Sequence, residues 1–185
     1  MTDMLTVPGA GMQAHILLPD YRELPEEDRL QLCAHLLRLA PASRYLRFGI
    51  PTNDETIVRY SQSDHGSDPV ICCAHIAGEV RAVAEVYMTS EGWPFSAELA
   101  LSVEDDWQDA GLGTELMARA LRTARSRHVS RLDMNYLPEN HRMRRIAAKF
   151  GAHSTPRESG AGMITVYFEP LGPGYSPSFG SELRQ

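Results

Sequence analysis

Three apolar-rich runs near the middle of the chain, "PVICCAHIAG", "EVRAVAEVYM" and "SAELALSV", read as strands, the last with apolar and polar positions alternating. A period of two is that of a strand with one face turned to a core. Gly78 separates the first two runs and "SEGWP" the next, so the three predict an antiparallel meander. Upstream, "AHILLPDY" predicts a first strand ended by Pro19 and Asp20. "PEEDRLQLCAHLLRLA" follows with helical spacing, Pro25 and three acids standing at its start, where negative charge suits the helix dipole. Leu30, Cys33, Leu36 and Leu37 are its expected apolar stripe. "PASRYLRFGIP" reads as a loop between Pro41 and Pro51, and "NDETIVRYSQ" as a short second helix capped by Asn53 or Asp54.

Beyond the meander the period changes to that of a helix over Gly111 to His128, about four to five turns. A strand "SRLDMNYL", a helix "ENHRMRRIAAKF" and two strands, "STPRES" and "GMITVYFEP", complete the pattern. The order βααβββαβαββ is that of a mixed α/β domain, a mostly antiparallel central sheet flanked by helices. Its expected limits are residues 14–170, between an N-terminal extension, 1–13, and an irregular tail, 171–185, rich in Gly, Pro and Ser.

Composition narrows the classes. At 185 residues, one domain can bury a sufficient core without disulfides or metal. No apolar run is long enough to cross a bilayer, and the first residues lack a basic segment followed by an apolar one, so a cytoplasmic location without membrane partners is expected. Adjacent Cys72 and Cys73 would face opposite sides of a strand as small buried hydrophobes. Scattered histidines predict no metal site. A net charge of -6 argues against a nonspecific nucleic-acid binder. The charge is unevenly spread: residues 1–106 hold seven arginines against seventeen acids, and 107–185 hold eleven basic residues against seven acids. Such halves could serve a cationic substrate and an anionic cofactor, or be two solvated surfaces.

The sharpest chemical signal is Gln108-Asp109-Ala110-Gly111-Leu112-Gly113-Thr114, a Q-x-x-G-x-G-T turn between the third meander strand and the long helix. The glycines let a ligand approach the backbone. The first N–H groups of a helix have no partner within it and, with the dipole, suit an anion such as a pyrophosphate. The turn lacks the Lys-Ser/Thr of a P-loop and the third glycine of a dinucleotide fingerprint.

With this turn and a second segment, "ENHRMRRIAAKFGA", the sequence resembles the GNAT N-acetyltransferase superfamily over roughly residues 14 to 169. In the second segment Asn140, Met143, Ile146, Lys149 and Gly151 are in register. The resemblance implies a GNAT fold and acetyl-CoA as cofactor. It implies that the backbone of Leu101, Ser102 and Val103 accompanies the pantetheine arm, with Leu101 and Val103 pairing to it. Amides from Gln108 to Thr114 would hold the pyrophosphate, Asn140 would bond the pantetheine or orient the departing thiol, and Met143 would line the channel. Arg119, Arg142, Arg144 and Arg145 are candidates for the phosphates, each singly read as a solvated helix face. "PASRYLRF", "AELALSVEDDWQDAGLGT", "PENHRMRRIAAKFGAH" and "ITVYFEP" are similar to segments of bacterial protein-lysine acetyltransferases. That resemblance implies a primary amine acceptor, a protein lysine ahead of a small amine, and a monomer or homodimer.

Attack on a thioester needs a neutral amine, hence a base. Glu98 and Glu85 are the mid-strand carboxylates, ranked in that order as catalytic candidates. Alternation puts Glu98, Ala100 and Ser102 on one face and Ala97, Leu99, Leu101 and Val103 on the other, giving Glu98 small neighbours and room for substrate. Glu98 also matches the glutamate that serves as base in the lysine acetyltransferase group. The tyrosine that the family carries seven residues after the Asn is absent, with Ala147 in its place, so no general acid is assigned. That absence keeps open a noncatalytic acyl-CoA-binding domain. The Val103 amide or a neighbour is the oxyanion donor the resemblance implies. In "SRYLRF", Arg44 and Arg47 are read as bracing the loop in preference to contacting an acidic substrate surface, and Tyr45, Leu46 and Phe48 as packing.

Overall fold

The computed structural model describes residues 18–63, 69–89, 95–159 and 163–168, with the backbone alone for 154–159. Seven strands form one sheet: β1 (Asp20–Glu23), β2 (Val70–Ile76), β3 (Glu79–Met88), β4 (Phe95–Val103), β5 (Val129–Tyr136), β6 (His153–Ser159) and β7 (Met163–Phe168), in the order β1-β2-β3-β4-β5-β7-β6. Every neighbouring pair is antiparallel except β4 with β5, which is parallel. Among the described residues five α-helices accompany them: α1 (Arg29–Arg38), α2 (Pro41–Phe48), α3 (Asp54–Gln62), α4 (Leu112–Ser126) and α5 (His141–Lys149). None of these helices is long and apolar enough to cross a membrane.

The meander, the long helix and the last four elements lie where the pattern of apolar positions puts them. Ala77 and Gly78, both at positive φ, make the β2–β3 turn. Cys72 and Cys73 are buried on opposite faces, in two separate apolar clusters. One cluster lies under α4, where Leu112, Leu116, Met117 and Ala120 pack on Ala74, Ala84, Ala97 and Leu99. The other joins Leu32 and Leu36 of α1 and Ile57 of α3 to Cys73 and Val83.

Four expectations need correction. Residues 41–48 are helix rather than loop, adding a third helix before the meander. Pro41 opens α2 at a position whose N–H needs no partner, and Gly49, at φ 74°, closes it. Pro19 and Asp20 do not end the first strand; β1 starts at Asp20, and residues 14–17 lie outside the described residues. Leu30 is 75% exposed, and the buried stripe of α1 is Leu32, His35, Leu36 and then Leu39. Tyr45 is exposed rather than packed. Asn53, not Asp54, caps α3, its Oδ1 accepting from the Thr56 N–H at 2.9 Å.

The sheet opens between its two parallel strands. β4 and β5 are in register from Phe95↔Val129 to Leu99↔Met134 and no further, although β4 runs on to Val103. On its other side β4 pairs with β3 as far as Val103, and the Glu104 N–H continues to the Arg81 carbonyl at 2.9 Å. Antiparallel pairing alternates the direction of the backbone groups. Ser102 therefore turns its N–H and C=O to β3, while Leu101 and Val103 turn theirs into the opening beside β5.

Candidate active site

Two adjoining cavities occupy this opening. The larger, about 460 Å³, lies between the end of β4, α2, the turn before α4 and the start of α5. The smaller, about 170 Å³, lies over Glu98, Ala100 and Asn135, and shares Leu46, Arg47, Leu101, Asn140 and Met143 with the larger.

Leu101, Ser102, Val103, Gln108, Asp109, Gly111, Leu112, Gly113, Thr114, Asn140 and Met143 line the larger cavity; Ala110 does not, packing instead against the core. Gly111 precedes α4 at φ 84°, a left-handed conformation that a side chain would strain. A Cβ at Gly113 would meet Ile146 Cδ1 at 3.1 Å, so the second glycine also lets α5 close on α4. The Gln108 amide donates to the Val103 carbonyl at 3.1 Å and to Ser43 Oγ at 3.3 Å, tying the turn to strand and helix. Asn140 caps α5, its Oδ1 accepting from the Met143 N–H at 3.1 Å.

Of the four candidate arginines only Arg142 and Arg145 line this cavity, joined there by Lys149. Arg142 donates to Asp109 at 2.9 Å, and this hydrogen bond holds the Asp109 carboxyl below its ordinary range. Arg119 lies over the Tyr21 ring and pairs with Glu115. Arg144 is exposed and lines neither cavity.

The two candidate carboxylates sit in different surroundings. Glu98 lines the smaller cavity and is half-buried, its Oε1 accepting from Asn135 Nδ2 at 3.1 Å. Thr165 in turn donates to Asn135 Oδ1 at 2.5 Å, which fixes the amide with its nitrogen toward Glu98. Glu85 is fully buried and lines neither cavity. Arg47 donates to it at 2.6 Å, Tyr87 at 2.6 Å and Tyr60 at 2.9 Å. Burial alone would raise the Glu85 carboxyl, but the Arg47 charge and the three hydrogen bonds together hold it below its usual value. Burial pushes the Tyr60 phenol up to about 12. A carboxylate so stabilised is a weak base. Arg44 donates to the Leu37 and Leu39 carbonyls and to Asp54, so both arginines of α2 brace it.

A third cluster was not legible in the sequence. Glu104 is buried and accepts from Arg38 Nε and Arg81 Nη1, each at 2.8 Å, and from His35 Nδ1 at 3.2 Å. On its other side, His35 Nε2 lies 2.9 Å from Ser102 Oγ. Asp105 accepts from the Ala40 N–H and the Ser43 hydroxyl, capping α2. The spacing of Leu32, His35, Leu36 and Leu39 as one helical stripe was the available sign that His35 faces inward. Among the described residues no three His, Cys, Asp or Glu side chains gather as a metal site.

The family model for the acetyltransferase (GNAT) family matches residues 30–152. No curated protein sequence matches the chain. Among solved structures, the GNAT domain of PAT from S. lividans is 24% identical, with a TM-score of 0.69 over 82% of this chain and 90% of that one. A putative acetyltransferase from Acinetobacter baylyi is 17% identical, TM-score 0.68, over 85% and 97%. A putative acetyltransferase from Salmonella typhimurium, solved with acetyl-CoA, is 14% identical, TM-score 0.63, over 87% and 98%.

Proposed function

This chain belongs to the GNAT acetyltransferase family, whose members use acetyl-CoA, and on that premise we propose that it acetylates a protein lysine by direct transfer with Glu98 as general base. The observation that carries this reading is the position of Glu98 in a small cavity that adjoins the larger one and shares Leu101, Asn140 and Met143 with it.

The residues present fit acetyl-CoA. β5 does not pair with Leu101 or Val103, which leaves the Leu101 backbone groups and the Val103 N–H to pair with a pantetheine arm, while Gln108 donates to the Val103 carbonyl. The glycine turn exposes the first amides of α4, and Arg142, Arg145 and Lys149 supply positive charge for phosphates. Bound there, acetyl-CoA supplies the activated acetyl group. Glu98 accepts the ammonium proton, leaving a lone pair for attack. Asn135, held by Thr165, orients the Glu98 carboxylate. The Val103 or Leu101 N–H receives the developing negative charge on the carbonyl oxygen. A narrow cavity suits the unbranched end of a lysine side chain, and the similarity of four segments to protein-lysine acetyltransferases supports the same acceptor.

Glu98→Gln binds acetyl-CoA as the parent does and loses about 10²- to 10⁴-fold in kcat near neutral pH, with partial recovery as pH rises. An unchanged rate across that range removes Glu98 from the reaction. Mass spectrometry of a cell lysate incubated with the enzyme and acetyl-CoA identifies the acceptor. New acetyl-lysines support this reading, acetylated small amines replace it, and binding without any transfer marks a noncatalytic domain.

A further inference from the structure

We propose that Ser102, His35 and Glu104 form a second acyl-transfer device, in which Ser102 takes an acetyl group from acetyl-CoA when no amine is bound and passes it to water. The proposal rests on the reading that acetyl-CoA lies along Leu101 and Val103, and adds a serine ester intermediate and a thioesterase activity.

Hydrogen-bond chemistry sets the direction of the relay. Glu104 is ionised, since two guanidinium groups and His35 hold its carboxyl below the ordinary range against the effect of burial. A carboxylate can only accept, so His35 Nδ1 must carry the proton at that contact. Burial holds the imidazole below its ordinary value and hence neutral, which leaves Nε2 as a lone pair. The only hydrogen available at 2.9 Å is then that of the Ser102 hydroxyl. A hydroxyl donating to a neutral imidazole whose far nitrogen donates to a carboxylate is the arrangement of an activated serine nucleophile. Ser102 lines the cavity, and the N–H of the next residue, Val103, points into the opening, where an oxyanion donor is needed.

The step balances without another reagent. Ser102 Oγ forms a bond to the acetyl carbon and gives its proton to His35 Nε2, the carbon–sulfur bond breaks, and the thiolate takes that proton. Water then adds to the ester by the same relay, releasing acetate and restoring the hydroxyl.

The full chain is incubated with acetyl-CoA and no amine, following thiol release and, after acid quenching, the mass of the peptide that carries Ser102. The expected result is slow thiol release, with a hydroxylamine-sensitive acetyl ester on that peptide. Ser102→Ala, a small change on a strand, removes the ester and brings thiol release to the level without enzyme. His35→Gln slows both by about 10²- to 10⁴-fold, with calorimetric binding of acetyl-CoA as the check that it folds. Glu98→Gln keeps the ester while losing transfer to amines, which separates this device from the proposed base. Thiol release by Ser102→Ala equal to the parent's, or acetyl groups found only on lysine amines, overturns the proposal while leaving the Glu98 reading intact. Absence of acetyl-CoA binding overturns both.

Discussion

The two faces of the sheet are built from the same strands and differ in kind. Toward α4, β2, β3 and β4 present Cys72, Ala74, Ala84, Val86, Ala97 and Leu99, and the helix answers with Leu116, Met117 and Ala120. One residue along on β3 and β4, the face toward α1, α2 and α3 presents Glu85, Tyr87, Glu98 and Ser102, answered by His35, Arg47 and Tyr60. The first face is held by apolar burial, which is indifferent to direction. The second carries two buried ionic networks whose members need one another, because an unpartnered charge there has no water to replace its partner. The cavity over Glu98 opens on this second face and is lined by Arg47, so a group that shapes the candidate site also holds the fold.

That contrast is broken most directly by matched conservative changes. Glu85→Gln preserves shape but leaves Arg47 buried without its counter-charge, and a loss of about 3 kcal/mol is expected in chemical denaturation. Leu116→Met, an equally conservative change beneath α4, costs less than about 1.5 kcal/mol. If Glu85→Gln is tolerated as well as Leu116→Met, the networks add nothing that packing does not, and the distinction between the faces fails.

The same contrast explains what could be read from the chain. The meander and the α4 face were legible because period two and period 3.6 are local records of one apolar side. The glycine turn was legible because its requirements fall within seven consecutive residues. Helix α2 was not, since Pro41 and Pro51 look like the ends of a loop. What converts the segment is Asp105, more than sixty residues away, accepting from the Ala40 N–H and Ser43. The acids after Val103 gave no local sign of their separate uses, Glu104 buried against His35, Arg38 and Arg81, and Asp105 as a cap. Glu85 and Glu98 were both legible as mid-strand carboxylates, with Glu98 ranked first on its small neighbours, but their surroundings were not. The approach of Arg47 and two tyrosines to Glu85, and of Asn135 to Glu98, comes from distant segments and sets them apart in the fold.

Acid pH separates the two kinds of stabilisation with the smallest perturbation. Burial holds the imidazoles of His35 and His75 below their ordinary value of 6.5. The unfolded chain therefore binds protons that the native state refuses, and stability falls as pH drops from about 6.5 through the lower native values. Glu85 and Glu104 have native values below the ordinary 4.5, so their contribution is complete above that pH and is lost as pH falls through the native values. Tm measured from about pH 8 to about pH 3 should decline in two stages, the first from histidines and the second from carboxylates. His35→Gln shrinks the first stage and Glu85→Gln the second, whereas Leu116→Met shifts the whole curve without changing its shape. A parallel shift for all three variants would mean that neither network titrates with folding, and the polar face would then be held as the apolar one is.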